Sequence, residues 1–282
     1  MSGSLSYLTA LYSDVSGGGS SLLDILYGIG TSPSGSGNPV QALQAAEQNQ
    51  TQNVKVTAAQ PMVTAAIGAY TAAVNSATSM TQLLANPAFM NVLLTANGMS
   101  DQIGYTALAT QALTSNLGDS TSLANTLTDT RWKTLAGNYN FSSTGLASFQ
   151  NPAAIAAMAN LYATATWQTS QDTVTPGLSN ALAFKAQAST ITSVDQILGN
   201  PTMRSVVTTA LGIPQQIAFQ DLNAQQQAIA TRVDIANFKD PKFVETFIQQ
   251  YLIANAQNAS SSSSSSVPSL TALAIQAGGY LA

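Results

Sequence analysis

The clearest pattern in the chain is a short apolar stripe that follows an Asn-Pro pair. After Asn86-Pro87, apolar residues stand at positions i, i+3, i+4 and i+7, the spacing of one face of an amphipathic helix. An Asn or Asp side chain at the N-cap accepts a hydrogen bond from a free backbone N–H, and a proline in the first turn has no N–H to leave unpaired. Five of the ten prolines follow Asn or Asp in this way, namely Pro39, Pro87, Pro152, Pro201 and Pro241. The pattern predicts an all-α fold.

The helix signals recur along the chain at a nearly constant offset. Asn86-Pro87 has a counterpart in Asn200-Pro201, and Gly98 has one in Gly212, each 114 residues later. Gly98 and Gly212 stand where a helix needs a left-handed residue just past its end. A later match pairs the segment Leu127–Trp132 with Phe238–Phe243, at an offset of 111 residues. We therefore predict two tandem homologous units of about 110 residues, 38–147 and 151–256.

Each unit opens with a long segment rich in Ala, Gln and Thr. One proline interrupts each segment at nearly equivalent places, Pro61 in the first unit and Pro176 in the second. Because an interior proline kinks or splits a helix, we expect a broken long helix in each unit, followed by three or four short helices.

The two ends of the chain differ from the units. Residues 1–37 are predicted to form an amphipathic and flexible segment, 257–269 a serine-rich linker and 270–282 a second amphipathic segment. Their apolar stripes contain Leu5, Leu8, Leu11 and Tyr12 at one end and Leu270, Leu273, Ala277 and Leu281 at the other. Such short stripes need a surface to pack on. We expect that surface to be either a partner protein or the two units themselves.

The composition removes several classes of function. Charged residues make up only 7% of the 282 residues, the net charge is −4, and the chain has neither cysteine nor histidine. So few cations argue against a basic face for DNA or RNA, and we expect no nucleic-acid partner. A thiol nucleophile, an imidazole base and a Cys/His zinc site are excluded. The first seven residues carry no cation and no uninterrupted apolar run, so we expect no cleaved leader. No stretch is long enough to suggest a membrane span.

Two pairs of charges recur in the later match, Asp129 with Arg131 and Asp240 with Lys242. One interpretation is an ion contact with a partner, made once by each unit. We favour the simpler interpretation, in which each aspartate caps a helix and each cation lies nearby on the surface.

Aromatic residues at helical spacing accompany these pairs. They are Trp132, Tyr139, Phe243, Phe247 and Tyr251. Core packing explains such stripes better than a ligand platform. We therefore expect Trp132 and Phe243 to be buried at equivalent points of the two units.

No constellation of catalytic residues stands out. The densest carboxylates, Asp234, Asp240 and Glu245, do not have the spacing of a calcium loop, and no phosphate-binding loop or nucleophile elbow is present. We predict a chain that is not an enzyme and that uses no cofactor, metal ion or small-molecule substrate.

The late segments resemble a known family. Leu127–Ala136 with Tyr139-Asn140-Phe141, and Phe238–Val244 with Phe247–Leu252, are similar to an uncharacterised helical domain family of alphaproteobacteria, often encoded among flagellar genes. The resemblance covers roughly 76–256 and brings no catalytic residue with it. It implies a flagellum-associated role and no known activity. The chain departs from the family in its very low charge and its serine run.

The resemblance suggests two functions. We expect a structural or assembly component of the bacterial flagellum, located in the flagellum or outside the cell after leaderless export, with other flagellar proteins or further copies of itself as partners. A composition without cysteine and rich in Ser, Thr, Asn, Gln and Ala is also similar to that of exported flagellar proteins. The alternative is a soluble cytoplasmic adaptor or export chaperone for flagellar subunits.

Overall fold

Every regular element in the described part of the chain is a helix. The structure, a computed structural model, describes residues 38–264, with side chains through residue 259. No strand occurs between residues 38 and 264, and the prediction of an all-α fold is confirmed. The predicted stripes of Leu5, Leu8, Leu11 and Tyr12 and of Leu270, Leu273 and Leu281 lie outside the described residues.

Fourteen α-helices follow one another between residues 38 and 264. The first eight are α1 (Pro39–Ala58), α2 (Pro61–Ser76), α3 (Met80–Leu84), α4 (Pro87–Ala96), α5 (Thr106–Leu113), α6 (Leu123–Thr126), α7 (Arg131–Tyr139) and α8 (Leu146–Gln150). The others are α9 (Pro152–Gln171), α10 (Leu178–Gln187), α11 (Val194–Leu198), α12 (Pro201–Ala210), α13 (Leu222–Ala230) and α14 (Pro241–Ser264). Short 3-10 helices stand at Ser100–Gln102, Ala188–Thr190, Gln215–Phe219 and Ile235–Lys239.

The Asn-Pro and Asp-Pro pairs start five of these helices. Asn86 Oδ1 accepts hydrogen bonds from the backbone N–H groups of Ala88 and Phe89, at 2.9 and 3.3 Å. Asn200 makes the matching pair of bonds at the start of α12, at 3.0 and 3.2 Å. The remaining caps each accept one N–H and are Asn38, Asn151 and Asp240. Each cap contributes roughly 1 kcal/mol to the stability of its helix.

The two glycine turns that end α4 and α12 are also alike. Gly98 and Gly212 have φ angles of 68° and 60°. In both turns the next residue, Met99 or Ile213, donates its N–H to the carbonyl five residues back at 2.8 Å. This is the Schellman motif, and its left-handed residue is the reason for glycine at both places.

A second pair of matched caps stands at α3 and α11, and sequence analysis missed it. Ser79 Oγ accepts from the N–H of Gln82 at 3.2 Å, and Gln82 Oε1 accepts from the N–H of Thr78 at 2.9 Å. Ser193 and Gln196 repeat the arrangement at 3.3 and 2.7 Å. The spacing Ser-x-x-Gln of a capping box was present in the sequence and could have identified both starts.

The interior prolines divide the long segments. Pro61 is the first residue of α2, so α1 and α2 are separate helices. Pro176 stands in the turn between α9 and α10. Both positions fit a residue that lacks the N–H needed inside a helix.

Two hydrophobic cores share the long helix α9. Ile155 and Met158, in its first half, pack into the first core, which is built mainly from α2 to α8. Ala163 and Trp167, in its second half, pack into the second core, which α10 to α14 form together with α1 and the first half of α2. Tyr162 contacts both cores. The two cores therefore cross the predicted boundary between residues 147 and 151, and the duplication itself stays a prediction.

The late match between α7 and α14 does not extend to packing. α7 packs against α5 and α6, whereas α14 packs against α10, α12 and α1. Trp132 is buried in the first core, but Phe243 is only half-buried at the edge of the second, so our expectation that both are buried at equivalent points was wrong. The sequence match gave Trp132 and Phe243 equivalent positions, but spacing along the chain does not show which helix packs against each face.

The serine run enters the last helix. α14 continues to Ser264, so residues 257–264, which we expected to begin the linker, are helical. A helix that is already formed extends at a small cost per residue, and serine is only mildly unfavourable within it. The remainder of the predicted linker lies outside the described residues.

The different burial of the two aromatics predicts unequal costs of truncation. We expect Trp132→Ala to lower the free energy of unfolding by about 3–5 kcal/mol, the range for a large buried side chain. Phe243→Ala should cost about half as much, because part of its ring already contacts water. Urea unfolding followed by circular dichroism measures both. Equal costs would contradict the assigned packing.

A glycine gives a second prediction. It lies where residues 38–147 contact residues 151–256, which are the two halves of the described chain. Thr130 donates its N–H to Gly199 O at 2.9 Å, and a Cβ added at Gly199 would lie 2.4 Å from Thr130 Cγ2 and 3.0 Å from Thr128 O. Gly199→Ala should destabilise the fold by about 1–3 kcal/mol. Its counterpart 114 residues earlier, Ala85, already carries a Cβ.

Gly68→Ala is the matched control, since Gly68 is exposed in α2 and has no atom within 4 Å of the added Cβ. It should stabilise the protein by roughly 0.5–1 kcal/mol through helix propensity. A Gly199→Ala variant as stable as the parent would show that the two halves are not held at this contact.

Candidate functional site

Arg131 lies at the centre of a buried charge cluster. Only 9% of its side chain is exposed, and its Nη1 donates to Gly98 O at 2.8 Å and to Asp101 at 2.9 Å. Its Nη2 lies 2.7 Å from both Asp101 and Asp129, and its Nε donates to Asp129 at 3.0 Å. All five N–H groups of the guanidinium thus have acceptors within the chain.

This geometry replaces both interpretations of the Asp129–Arg131 pair. Arg131 is not a surface cation, and it is not available for an ion contact with a partner, because its donors fix the Gly98 turn and the 3-10 helix that carries Asp101. The second pair differs. Asp240 accepts from the backbone N–H of Lys242 at 2.9 Å, and the Lys242 side chain is exposed. The two pairs are therefore not equivalent. Each aspartate accepts the backbone N–H two residues later, Asp129 that of Arg131 at 3.0 Å, but the N-cap of α7 is Thr130 and not Asp129 as predicted.

The charges of the cluster stabilise one another. Burial alone would raise the pKa of Asp101, but hydrogen bonds from Arg131 and Gln102 outweigh it and lower the pKa below 3.8. Burial would lower the pKa of Arg131, and the hydrogen bonds to Asp129 and Asp101 raise it instead. Both groups stay charged at neutral pH, so the cluster acts as a structural clamp.

A second ionic cluster joins three helices of the second core. Lys185 of α10 forms ion pairs with Glu47 of α1 and Glu245 of α14, the latter at 2.6 Å. Burial would lower the pKa of Lys185, but its two carboxylate partners raise it. Glu245, one of the carboxylates weighed as a catalytic candidate, is thus engaged in holding α1 against the second core.

The other candidate side chains are also used in packing and capping. Asp234 accepts from the N–H of Ala236, as Asp240 does from that of Lys242. Phe247 and Tyr251 are buried in the second core. Tyr139 is half-buried in the first core and stacks on Phe141, with ring centroids 5.6 Å apart. Within residues 38–264, no group of three or more acidic, cysteine or histidine side chains could hold a metal ion.

Exposed apolar side chains follow both glycine turns. After the Gly98 turn, Ile103 and Tyr105 are 42% and 60% exposed. After the Gly212 turn, Phe219 and Leu222 are 89% and 56% exposed. Sequence analysis missed these residues, because they lie outside any periodic apolar stripe. Phe219 ends a 3-10 helix and Leu222 begins α13. A matched pair of exposed apolar loops is suited to contact another protein.

Two shallow depressions lie beside the Gly212 turn. The first is bounded by α12, the 3-10 helix Gln215–Phe219 and α14, and the second lies directly between α12 and α14. The two depressions adjoin at Thr209 and Gly212, and together they are called the groove between α12 and α14. Each depression has a volume of about 550 Å³. Arg204 is the one charged side chain among the described residues that line it.

Removing Arg131 tests the clamp. Arg131→Met should lower the free energy of unfolding by about 2–4 kcal/mol, a range reduced because Asp101 is half exposed. The full loss of stability should be seen above pH 3.8, the ordinary pKa of the Asp101 carboxyl. The loss should become smaller as the pH falls through the lower pKa that Asp101 has in the folded protein. Urea unfolding between pH 2.5 and 7 measures it.

Lys133→Met, two residues later on an exposed side chain, is the matched control and should change stability by less than about 0.5 kcal/mol. A pH-independent cost at Arg131 would mean that lost packing, and not charge, accounts for its effect.

The chain is similar to known proteins in fold and in family. An X-ray crystal structure of a protein from Agrobacterium tumefaciens matches 80% of this chain and 96% of its own, with a TM-score of 0.66 at 23% identity. This likeness concerns the fold alone. No curated protein matches the chain. The family model described as a protein of unknown function, DUF1217, matches residues 96–244, from the end of α4 to the first turn of α14. The matched segment holds the Arg131 clamp and both glycine turns, and the chain belongs to the DUF1217 family.

Proposed function

We propose that this chain is a non-enzymatic structural or assembly component of the bacterial flagellum, which acts through helical protein–protein contacts. The observation that carries the proposal is the pair of exposed apolar loops, above all Phe219, whose side chain is 89% exposed. Burying one phenylalanine against a partner contributes about 1.5–3 kcal/mol, enough for it to dominate a small contact.

The charge distribution supports a binding role over a chemical one. The two ionic clusters of the described residues, around Arg131 and Lys185, hold helices together inside the chain. The exposed loops carry aromatic and aliphatic side chains, with one exposed aspartate in each loop, Asp101 and Asp221. Such a surface loses little solvation energy on association, because few charged groups need to leave water.

The flagellar assignment rests on resemblance. The late segments are similar to a helical family often encoded among flagellar genes, and the relative of known structure comes from Agrobacterium tumefaciens. The proposed partners are other flagellar proteins or further copies of this chain. The stripe of Leu5, Leu8, Leu11 and Tyr12 is a second proposed contact. No helix within residues 38–264 has both the length and the apolar character of a membrane span.

Location separates the flagellar component from the alternative, a cytoplasmic adaptor or export chaperone. Mass spectrometry of sheared, purified flagella should recover the protein with the appendage, and a strain that lacks its gene should swim poorly. Recovery in the cytosol alone, together with a loss of swimming, would favour the adaptor. A normally swimming deletion strain would contradict both functions.

Point variants then test the contact. In the deletion strain, a gene with Phe219→Ser should restore swimming far less than the parent gene, because the proposed apolar anchor is lost. Met62→Ser is the matched control, since Met62 is 82% exposed on α2 and belongs to neither loop. Equal rescue by both variants, at equal protein levels, would remove Phe219 from the proposed contact.

A further inference from the structure

The two glycine turns, alike in their backbone, have different surroundings. At the first, Arg131 of α7 donates to Gly98 O and holds the 3-10 helix that follows through Asp101. At the second, Gly212 and the 3-10 helix after it border the open groove between α12 and α14. The first turn thus has its own carbonyl held by a neighbouring helix. At the second, Gln250 of α14 donates to Ala210 O at 2.9 Å, but Gly212 itself borders the groove.

The difference in neighbours follows from chain length. Residues 114–150, 37 in number, separate α5 from the cap of α9 and include α6, α7 and α8. Only nine residues, 231–239, separate α13 from the cap of α14. The second half therefore has no counterpart of α7 within residues 231–239 that could lie against its glycine turn.

We propose that the segment 265–282 of this chain docks in the groove between α12 and α14 and covers the Gly212 turn. Its apolar stripe, Leu270, Leu273 and Leu281, would contact the apolar side chains of the groove. Those side chains are Ile213, Ile217, Leu211, Ile253 and Ala254. The segment would cover the Gly212 turn of the second half, as α7 covers the Gly98 turn of the first half.

The geometry of the chain allows this return. α14 is described to Ser264, and Asn258, which lines the groove, lies six residues earlier, or about 9 Å along the helix axis. The six peptide steps from Ser264 to Leu270 span up to about 20 Å when extended. Pro268 within this stretch cannot continue α14, which favours a change of direction there.

The segment and the groove are also compatible in charge. Residues 265–282 include no Asp, Glu, Lys or Arg. The described lining of the groove contains one cation, Arg204, and no carboxylate, and Arg204 Nη1 already donates to Leu198 O at 3.3 Å. The segment therefore brings no charge of its own into the groove, and Arg204 is the single charged side chain that it would cover.

Thiol labelling tests the docking, because the chain has no cysteine and an introduced one is its sole thiol. Ile253→Cys places the probe in the groove, and Leu161→Cys on α9 is the control, since the two side chains are 45% and 44% exposed. Each probe is combined in the full chain with Leu273→Asp, which puts a charge on the stripe, or with Thr271→Asp, which puts it beside the stripe.

We expect Leu273→Asp to speed maleimide labelling at position 253 at least fivefold, with no effect of Thr271→Asp and no effect of either at position 161. Ala218→Cys, a second probe in the groove, should respond as position 253 does. Equal labelling with the two aspartate variants would overturn the proposal. Protection that rises with protein concentration would overturn it too, since a second copy would then occupy the groove.

Discussion

The packing of α9 against both cores is the constraint on which the rest of the structure depends. Its 20 residues present Ile155 and Met158 to the first core and Ala163 and Trp167 to the second, and Ile155 and Trp167 lie about 18 Å apart along the helix axis. Because one rigid helix belongs to both cores, neither half of the chain can complete its interior without the other. The two halves are therefore expected to move and unfold together.

Capping residues and glycine turns make so regular a succession of helices possible. Asn or Asp caps with a following proline, the two Ser-x-x-Gln boxes and the two Schellman turns satisfy backbone groups that would otherwise be left unpaired at helix ends. Many of the helices are short, and an isolated helix of that length is unstable in water. Caps fix where each helix starts, and burial in one of the cores supplies the free energy that keeps it folded.

Because charged residues are scarce, the few ion pairs between helices are important for how the helices pack. Arg131 ties together a glycine turn, a 3-10 helix and α7, and Lys185 ties α1 and α14 to α10. These clusters fix the order of packing among helices whose apolar faces are otherwise similar. The exposed surface of the described residues is rich in amide and hydroxyl side chains and carries a few large apolar ones.

The sequence by itself determined the helical class, the starts of the Asx-Pro helices and the glycine turns that end α4 and α12. Each of these depends on contacts within about five residues, so the residues that decide it stand side by side in the chain. Only the tertiary structure decided that Trp132 is buried while Phe243 is only partly buried, that Asp101 binds Arg131 thirty residues away, and that α1 packs with the second core. These outcomes depend on which apolar faces meet, and stripes of Ala, Val and Leu are too much alike for their order in the sequence to specify the pairing.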